Sequence, residues 1–128
     1  MVFRVSWRHV LCSIATIAIF VITGCGSPSS PSGNELRLDN GDNGRRLSVK
    51  SGNEIRVTLQ TIGPGQYDEL PSLSSPAVMF LRVSLLTPAN PGGPRQLFEF
   101  RAAAAGDAVV SIPHTGQNPR FEIIIEVR

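Results

Sequence analysis

The sequence predicts an all-β protein, an immunoglobulin-like antiparallel β-sandwich of about seven strands. Apolar and polar residues alternate with period two in short stretches after residue 34, which places successive side chains on opposite faces of a strand. Glycine, proline and asparagine cluster between these stretches, as tight turns require. No stretch shows convincing helical periodicity. Short alternating strands in this number are typical of two packed sheets.

The predicted strands follow one another along the chain. They contain Leu36 and Leu38, Leu47 and Val49, Ile55 to Leu59, Val78 to Leu86, Leu97 to Ala104, Ala108 to Ile112, and Phe121 to Val127. In the fourth, the alternation places Met79, Leu81, Val83 and Leu85 on one face, and its length predicts a central strand. In the fifth, consecutive alanines favour helix by propensity. The preceding Phe98-Glu99-Phe100-Arg101 alternation favours a strand instead.

The start of the chain has the organisation of an export signal. Arg4 and Arg8 provide a basic start, and Val10 to Ile22 form an apolar segment too short and too early for a mature membrane span. The segment ends in Ile22-Thr23-Gly24-Cys25. These four residues resemble the lipobox of bacterial lipoproteins, which implies that Cys25 is acylated and becomes the first mature residue. A plain secretory signal or an N-terminal anchor helix is the alternative.

This interpretation divides the chain into a signal peptide at 1–24, a lipidated cysteine with a flexible tether at 25–34, and a sandwich domain at 35–128. The tether is composed of turn formers and reaches at most roughly 30 Å. We expect the mature protein in the cell envelope, bound to the membrane through its lipid. Gly26 follows the cysteine, which favours an outer membrane, facing the periplasm, in an organism that has one.

Composition excludes several classes of function. The chain has 12 basic and 10 acidic residues, and loss of Arg4 and Arg8 with the signal leaves the two balanced. No extended basic cluster marks a nucleic-acid binder. Cys12 is lost with the signal and Cys25 is acylated, so no cysteine remains for a disulfide, a metal site or a thiol nucleophile. No enzyme activity, metal or cofactor is expected.

Three connections contain too much glycine and proline to be simple hairpins, namely Thr61 to Pro76, Thr87 to Gln96 and Pro113 to Pro119. Alternate loops of a sandwich gather at one end, where they can bind a partner. The candidate binding residues are Gly63, Pro64, Gly65, Gln66, Tyr67, Gly92, Gly93, His114, Thr115 and Gly116. For Tyr67 two interpretations stay open: an exposed recognition anchor, or a ring that plugs the open end of the sandwich.

Two other segments have a functional and a structural interpretation. Asp39 to Gly44 has the acidic and glycine content of a calcium loop, but its spacing does not match the EF-hand pattern, so a turn is favoured. His114 is the only histidine after the signal, and no nucleophile signature accompanies it. We expect it to be a polar loop residue that forms local hydrogen bonds.

Several motifs between Asn40 and Val127 recur in one known family. They are Asn43-Gly44, Leu47-Ser48-Val49, Gly52, Gly92-Gly93, Phe98-Glu99-Phe100 and Ala102 to Gly106. In these motifs the chain resembles the chagasin-like inhibitors of papain-type cysteine proteases. The family's first inhibitory loop reads Asn-Pro-Thr-Thr-Gly and then an aromatic, whereas this chain has Gly63-Pro64-Gly65-Gln66-Tyr67. The family's last loop carries Arg-Pro-Trp, where this chain has His114 to Pro119.

The sequence therefore predicts a lipid-anchored envelope protein whose loops bind a protein or peptide. One alternative, implied by the resemblance, is an inhibitor whose partner is a papain-type cysteine protease. The other is a structural accessory lipoprotein without a discrete ligand.

Overall fold

The computed structural model describes residues 33–86 and 93–128. The described part contains strands β1 (Glu35–Asp39), β2 (Arg46–Val49), β3 (Glu54–Gln60), β4 (Ser72–Leu73), β5 (Val78–Leu86), β6 (Arg95–Ala102), β7 (Gly106–Ile112) and β8 (Phe121–Val127). A single turn of 3-10 helix, Asn40–Asp42, follows β1. The predicted lipobox, Ile22 to Cys25, and the candidate residue Gly92 lie outside the described residues.

The strands form two four-stranded sheets that enclose one apolar core. The first sheet has the order β1-β3-β6-β5 and the second has the order β2-β8-β7-β4. Four neighbouring pairs are antiparallel, whereas β1 runs parallel to β3 and β2 runs parallel to β8. The predicted all-β sandwich is confirmed, and each predicted strand is present. The expectation of antiparallel pairing is wrong for β1–β3 and β2–β8, and β4, inside the first long connection, was not predicted.

The prediction for Val78 to Leu86 is wrong in two respects. The strand is long, but β5 lies at the edge of the first sheet rather than in its centre. A register shift between Phe80 and Arg82 inserts one extra residue opposite β6. The shift interrupts the period-two pattern, because a bulge places two residues opposite one. Met79 and Leu81, which the alternation places on one face with Val83 and Leu85, are therefore not in the core: Met79 is 46% exposed and Leu81 is 41% exposed, while Val78 is buried.

Alternate side chains from both sheets fill the core. The buried set includes Leu38, Val49, Ile55, Val57, Leu59, Tyr67, Val78, Phe98, Phe100, Val110, Ile112, Phe121, Ile123, Ile125 and Val127. β3 and β8 follow the predicted alternation along their whole length. Every strand and every core residue of the described part lies between Glu35 and Val127. A chain that begins at Gly26 therefore retains this sandwich.

The two ends of the sandwich are distinct. At one end, which we call the base, Asn34 accepts a hydrogen bond from Glu54 N at 2.9 Å, so the chain enters β1 there. β3 starts at the base and finishes at Gln60, at the opposite end. The first, second and third loops are defined as residues 61–71, 87–94 and 113–120, and the strand ends that flank them lie at that opposite end. Chain entry and loops are thus separated by the length of the sheet.

A chain of ion pairs crosses the outer face of the first sheet. Arg37 Nε donates to Glu35 Oε1 at 2.7 Å, and Glu35 lies 3.6 Å from Arg56 Nε. Arg56 Nη2 lies 3.3 Å from Glu99 Oε1, and Arg82 Nε donates to Glu99 Oε2. The hydrogen bond from Arg82 lowers the pKa of Glu99 although burial opposes this shift, and the hydrogen bond from Arg37 lowers the pKa of Glu35. The network links all four strands.

Candidate functional site

The described parts of the three loops contact one another and form one continuous edge, which we call the loop rim. Thr61 N donates to Pro94 O at 3.0 Å, which joins the first loop to the second. Gln66 and Thr115 join the first loop to the third: Gln66 N donates to Thr115 Oγ1 at 3.0 Å, and Thr115 N donates to Gln66 O at 2.9 Å. Segments far apart in sequence thus form a single surface.

Close backbone approach at the rim requires glycine. A Cβ on Gly65, whose φ is +101°, would lie 2.8 Å from Gly116 N. A Cβ on Gly116 would lie 2.3 Å from Pro64 O. In the second loop, a Cβ on Gly93 would lie 2.7 Å from Thr61 O. Because real Cβ atoms do not approach backbone atoms this closely, these glycines allow the loops to pack against one another.

Side-chain amides fix the backbone of the first loop. Asn118 Oδ1 accepts from Ile62 N at 3.1 Å, and Asn118 Nδ2 donates to Ile62 O at 2.7 Å. Gln96 binds the N–H and C=O of Tyr67 in the same way. We call this arrangement, in which one carboxamide binds both backbone groups of a residue, a carboxamide clamp. It supplies the hydrogen bonds that a neighbouring strand would supply.

The 3-10 turn provides further amide contacts at the same end. Asn40 clamps Gln60, accepting from its N–H at 2.7 Å and donating to its C=O at 3.2 Å. Asn43 fixes the end of the third loop, because its Nδ2 donates to Arg120 O at 3.0 Å and its Oδ1 accepts from Glu122 N at 2.8 Å. The strands on both sides of the rim are thus tied to this turn.

Tyr67 belongs to the core. It is 2% exposed, and its hydroxyl accepts a hydrogen bond from Asn40 Nδ2 at 3.2 Å. Burial raises the pKa of Tyr67, an effect that the hydrogen bond from Asn40 partly opposes. Of the two interpretations open at the sequence level, the structure shows the ring that plugs the end of the sandwich. Tyr67 is therefore a buried residue that supports the loop rim and is not part of its exposed surface.

His114 joins the first and third loops through local contacts. Its Nδ1 accepts a hydrogen bond from Gly116 N at 2.8 Å, which places the ring proton of the neutral form on Nε2. Nε2 lies 3.2 Å from the buried Thr61 Oγ1, to which it donates. The ring also meets Tyr67 edge-on, with centroids 4.7 Å apart. Both ring nitrogens are engaged: the bond with Gly116 is local, as expected for a polar loop residue, whereas the contact with Thr61, which was not expected, joins the two loops.

The acidic segment Asp39 to Gly44 forms the predicted turn. Asp39 Oδ1 accepts from Gly41 N at 2.7 Å, and Asp42 Oδ2 accepts from Asp39 N at 3.0 Å, which is a capping box. Among residues 33–86 and 93–128, no group of three acidic, histidine or cysteine residues is placed to hold a metal ion. In the same ranges, no helix is long and apolar enough to cross a membrane.

The candidate residues fall into two groups. Gly63, Pro64, Gly65, Gln66, Thr115 and Gly116 are exposed on the rim, whereas Tyr67, Gly93 and His114 are buried or half-buried beneath it. Sequence analysis missed the clamping amides, and it included Ile62, which is 76% exposed, only as part of the first connection and not as a named candidate. Gln96 and Asn118 lie within two of the connections that the sequence identifies. The backbone groups that these amides bind could not be predicted, because they depend on which segment lies opposite in the fold.

No family model matches the sequence, and no curated protein matches it significantly. Solved structures do resemble the fold. A cysteine protease inhibitor from Entamoeba histolytica superposes with a TM-score of 0.60 at 10% identity, covering 77% of this chain and all (100%) of the inhibitor. Amebosin superposes with a TM-score of 0.51 at 9% identity, covering 73% of this chain and 98% of amebosin. The sandwich has the chagasin-like fold.

Within the chagasin-like fold, the segments that resemble the family's inhibitory loops lie together. Gly63 to Tyr67 lies beside His114 to Pro119, joined by the Gln66–Thr115 hydrogen bonds, and Gly93 touches the first loop at Thr61. The departures from the family motifs are concentrated on this same edge. The two segments that were compared with the family's inhibitory loops are thus adjacent in this structure.

Proposed function

We propose that the protein is a non-enzymatic binding module whose loop rim docks on another protein, and that it inhibits papain-type cysteine proteases. The observation that supports this most directly is the joining of three separate loops into one edge. The stretch from Ile62 to Gln66 is exposed on that edge. The similar fold of a cysteine protease inhibitor supports the choice of partner.

The rim has the physical properties that insertion into a cleft requires. Gly63, Pro64 and Gly65 carry little side-chain bulk, so the exposed loop is narrow. Clamps on Ile62 and Tyr67 hold both ends of this stretch before any partner arrives. A loop that is already ordered loses little conformational entropy on binding. A rigid loop in a protease cleft also excludes substrate without adopting the extended form that cleavage needs.

Titration of papain with the chain that begins at Gly26 tests this proposal, with trypsin as the unrelated protease. We expect stoichiometric loss of papain activity and unchanged trypsin activity. Gly65→Ala should weaken inhibition at least tenfold, about 1.4 kcal/mol, because its Cβ would separate the first and third loops. Gly52→Ala is the matched control: its φ of +90° carries the same backbone cost, but nothing lies within 4 Å and it is at the base.

Two outcomes would count against the proposal. Papain that stays fully active at a large molar excess of folded protein removes this protease class as the partner. Equal weakening by Gly65→Ala and Gly52→Ala would mean that general destabilisation, rather than the rim, determines inhibition. Melting curves of all three proteins show whether each variant is folded under the assay conditions.

We also propose that the protein is anchored in the cell envelope through an acyl group on Cys25. The support is the lipobox-like sequence together with the position of chain entry, because β1 begins at the base. The seven residues of β3 separate base and rim by about 20 Å. An anchor on the N-terminal side would therefore attach at the end of the sandwich opposite the rim, which leaves the rim free to meet a partner in the periplasm if the membrane is an outer one.

Metabolic labelling with radioactive palmitate tests the anchor. The wild-type chain should be labelled and processed, whereas Cys25→Ser should remain unprocessed and unlabelled. Cys12→Ser controls for the other cysteine and should behave as the wild type. Label that persists in Cys25→Ser would refute the anchor.

A further inference from the structure

A small depression lies next to the exposed part of the first loop. It has a volume of about 410 Å³, and its lining includes Asn43, Ile62, Tyr67, Asn118, Pro119 and Phe121. Of these residues, Tyr67 and Phe121 are buried, whereas Ile62 and Pro119 are exposed. None of the lining side chains carries a charge, because the Tyr67 phenol stays neutral. We call this feature the side pocket.

Ile62 is exposed in a way that folding does not explain. It is 76% exposed, yet Asn118 binds both its N–H and its C=O. The backbone is therefore fixed while the apolar side chain remains in water. Burial of such an apolar side chain is favourable, and this fold leaves that gain unused. An apolar side chain held rigidly at a pocket margin has the character of an interface anchor.

The amides on the pocket wall keep unused hydrogen-bonding capacity. Toward the described residues, Asn43 uses one amide hydrogen and one oxygen lone pair. Asn118 does the same. A carboxamide offers two hydrogens and two lone pairs, so each keeps one donor and one acceptor. A peptide backbone presents the matching pair, because each residue has one N–H and one C=O.

We propose that the side pocket receives an uncharged aliphatic side chain from a segment of the partner protein, whose backbone pairs with Asn43 and Asn118. The absence of charge in the pocket selects against charged side chains, since their desolvation would not be compensated there. The size of the depression exceeds that of one aliphatic side chain, which leaves room for the backbone beside it. This inference rests on the proposed use of the rim for protein binding.

A blocked amino acid tests the pocket without any protease. N-acetyl-leucine N-methylamide carries one aliphatic side chain, two backbone-like N–H groups and two carbonyls. Titrated into the isotope-labelled chain that begins at Gly26, it should give saturable NMR shifts confined to Ile62, Phe121 and the amide groups of Asn43 and Asn118. The corresponding lysine compound should bind at least about fivefold more weakly, because its ammonium group finds no counter-charge.

Leu70 provides a matched control for Ile62. It is 79% exposed and lies in the same loop, but it does not line the side pocket. Ile62→Asp should reduce affinity for the leucine compound at least about fivefold, whereas Leu70→Asp should leave it unchanged. If Ile62→Asp lowers the melting temperature, Ile62→Thr replaces it, since threonine keeps the branched shape.

The outcomes separate this inference from the proposed protease partner. Shifts that do not saturate, that scatter over the surface, or that persist unchanged in the Ile62 variant would overturn the side pocket. Binding of the leucine compound by a protein that leaves papain active would retain the pocket and refute that partner. Inhibition of papain without saturable shifts would support the protease partner and refute the side pocket.

Discussion

Gln96 acts as a strand neighbour for Tyr67. Its Oε1 accepts from Tyr67 N at 2.8 Å and its Nε2 donates to Tyr67 O at 2.9 Å. Gln96 is 4% exposed and Tyr67 is 2% exposed, so water cannot replace these bonds when the amide is removed. Gln96, a buried side chain of β6, thus fixes the first loop at Tyr67, while Asn118 fixes it at Ile62.

Gln96→Ala should lower the free energy of unfolding by about 2–4 kcal/mol, because it leaves two backbone groups buried without partners. Urea unfolding followed by circular dichroism measures this change. Gln66→Ala is the control, since Gln66 is exposed and uses only its backbone in the rim. A loss below about 0.5 kcal/mol in Gln96→Ala, the size of an ordinary surface change, would contradict the clamp.

Tyr67 is the only tyrosine of the chain, so absorbance at 295 nm reports its ionisation directly. Burial raises the pKa of Tyr67 above its ordinary value of 10. The neutral phenol therefore contributes stability that is fully present below pH 10 and is lost as pH rises through the raised pKa. We expect an ionisation midpoint above 10 in the folded protein that returns to about 10 in urea.

Substitution of Tyr67 separates the ring from the hydroxyl. Tyr67→Ala should cost roughly 3–5 kcal/mol of folding free energy, as truncation of a buried aromatic residue does. Tyr67→Phe should cost only about 0.5–1.5 kcal/mol, the value of the hydrogen bond with Asn40. Equal melting of Tyr67→Ala and the wild type would place the ring outside the core.

The sequence is sufficient to predict the fold, but it does not predict for every strand which side chains face the core. β8 begins and ends where its alternation predicts, because β7 pairs with it from Phe121 to Val127 without a register shift. β5 does not follow its pattern, since the extra residue at the Phe80–Arg82 bulge changes which side chains point inward. Parallel pairing of β1 with β3 was not predictable either. Side-chain alternation is the same for both strand directions.

For the candidate site as well, the sequence predicts some features and not others. Glycine and proline marked the loops, and Gly65 and Gly116 do lie where those loops touch. The clamps of Asn118 and Gln96 were not predictable, because a carboxamide in a sequence does not reveal which backbone it will meet. Local composition thus located the rim. The long-range contacts that make it rigid required the structure.

Glu99 should govern part of the stability in acid. The hydrogen bond from Arg82 holds its pKa below the usual 4.5, so its contribution is complete above that pH and is lost as pH falls through the lowered pKa. Thermal melts from pH 6 to pH 3 should therefore show a shallower pH dependence for Glu99→Gln than for the wild type. Glu122→Gln, an exposed change on β8, should keep the wild-type slope. Identical slopes in all three proteins would remove Glu99 from the acid transition.

Arg82 should also protect the protein from edge-to-edge association. β5 pairs only with β6 within the described sheets, and Met79 and Leu81 are exposed on it. A charged side chain and a bulge on an edge strand both discourage pairing with another chain. Arg82→Ala removes the charge while leaving those apolar side chains exposed. We expect sedimentation equilibrium to show association of this variant at least tenfold tighter than that of the wild type, a change of about 1.4 kcal/mol.

The controls for this last prediction separate edge protection from general loss of charge. Arg101→Ala removes an exposed arginine from the neighbouring strand β6, which has partners on both sides, and should leave association unchanged. Arg82→Lys keeps a charge at the edge and should also behave as the wild type. Because Arg82→Ala deprives Glu99 of a partner, its melting curve is measured beside its mass. If Arg101→Ala associates as strongly as Arg82→Ala, net charge and not the β5 edge controls self-association.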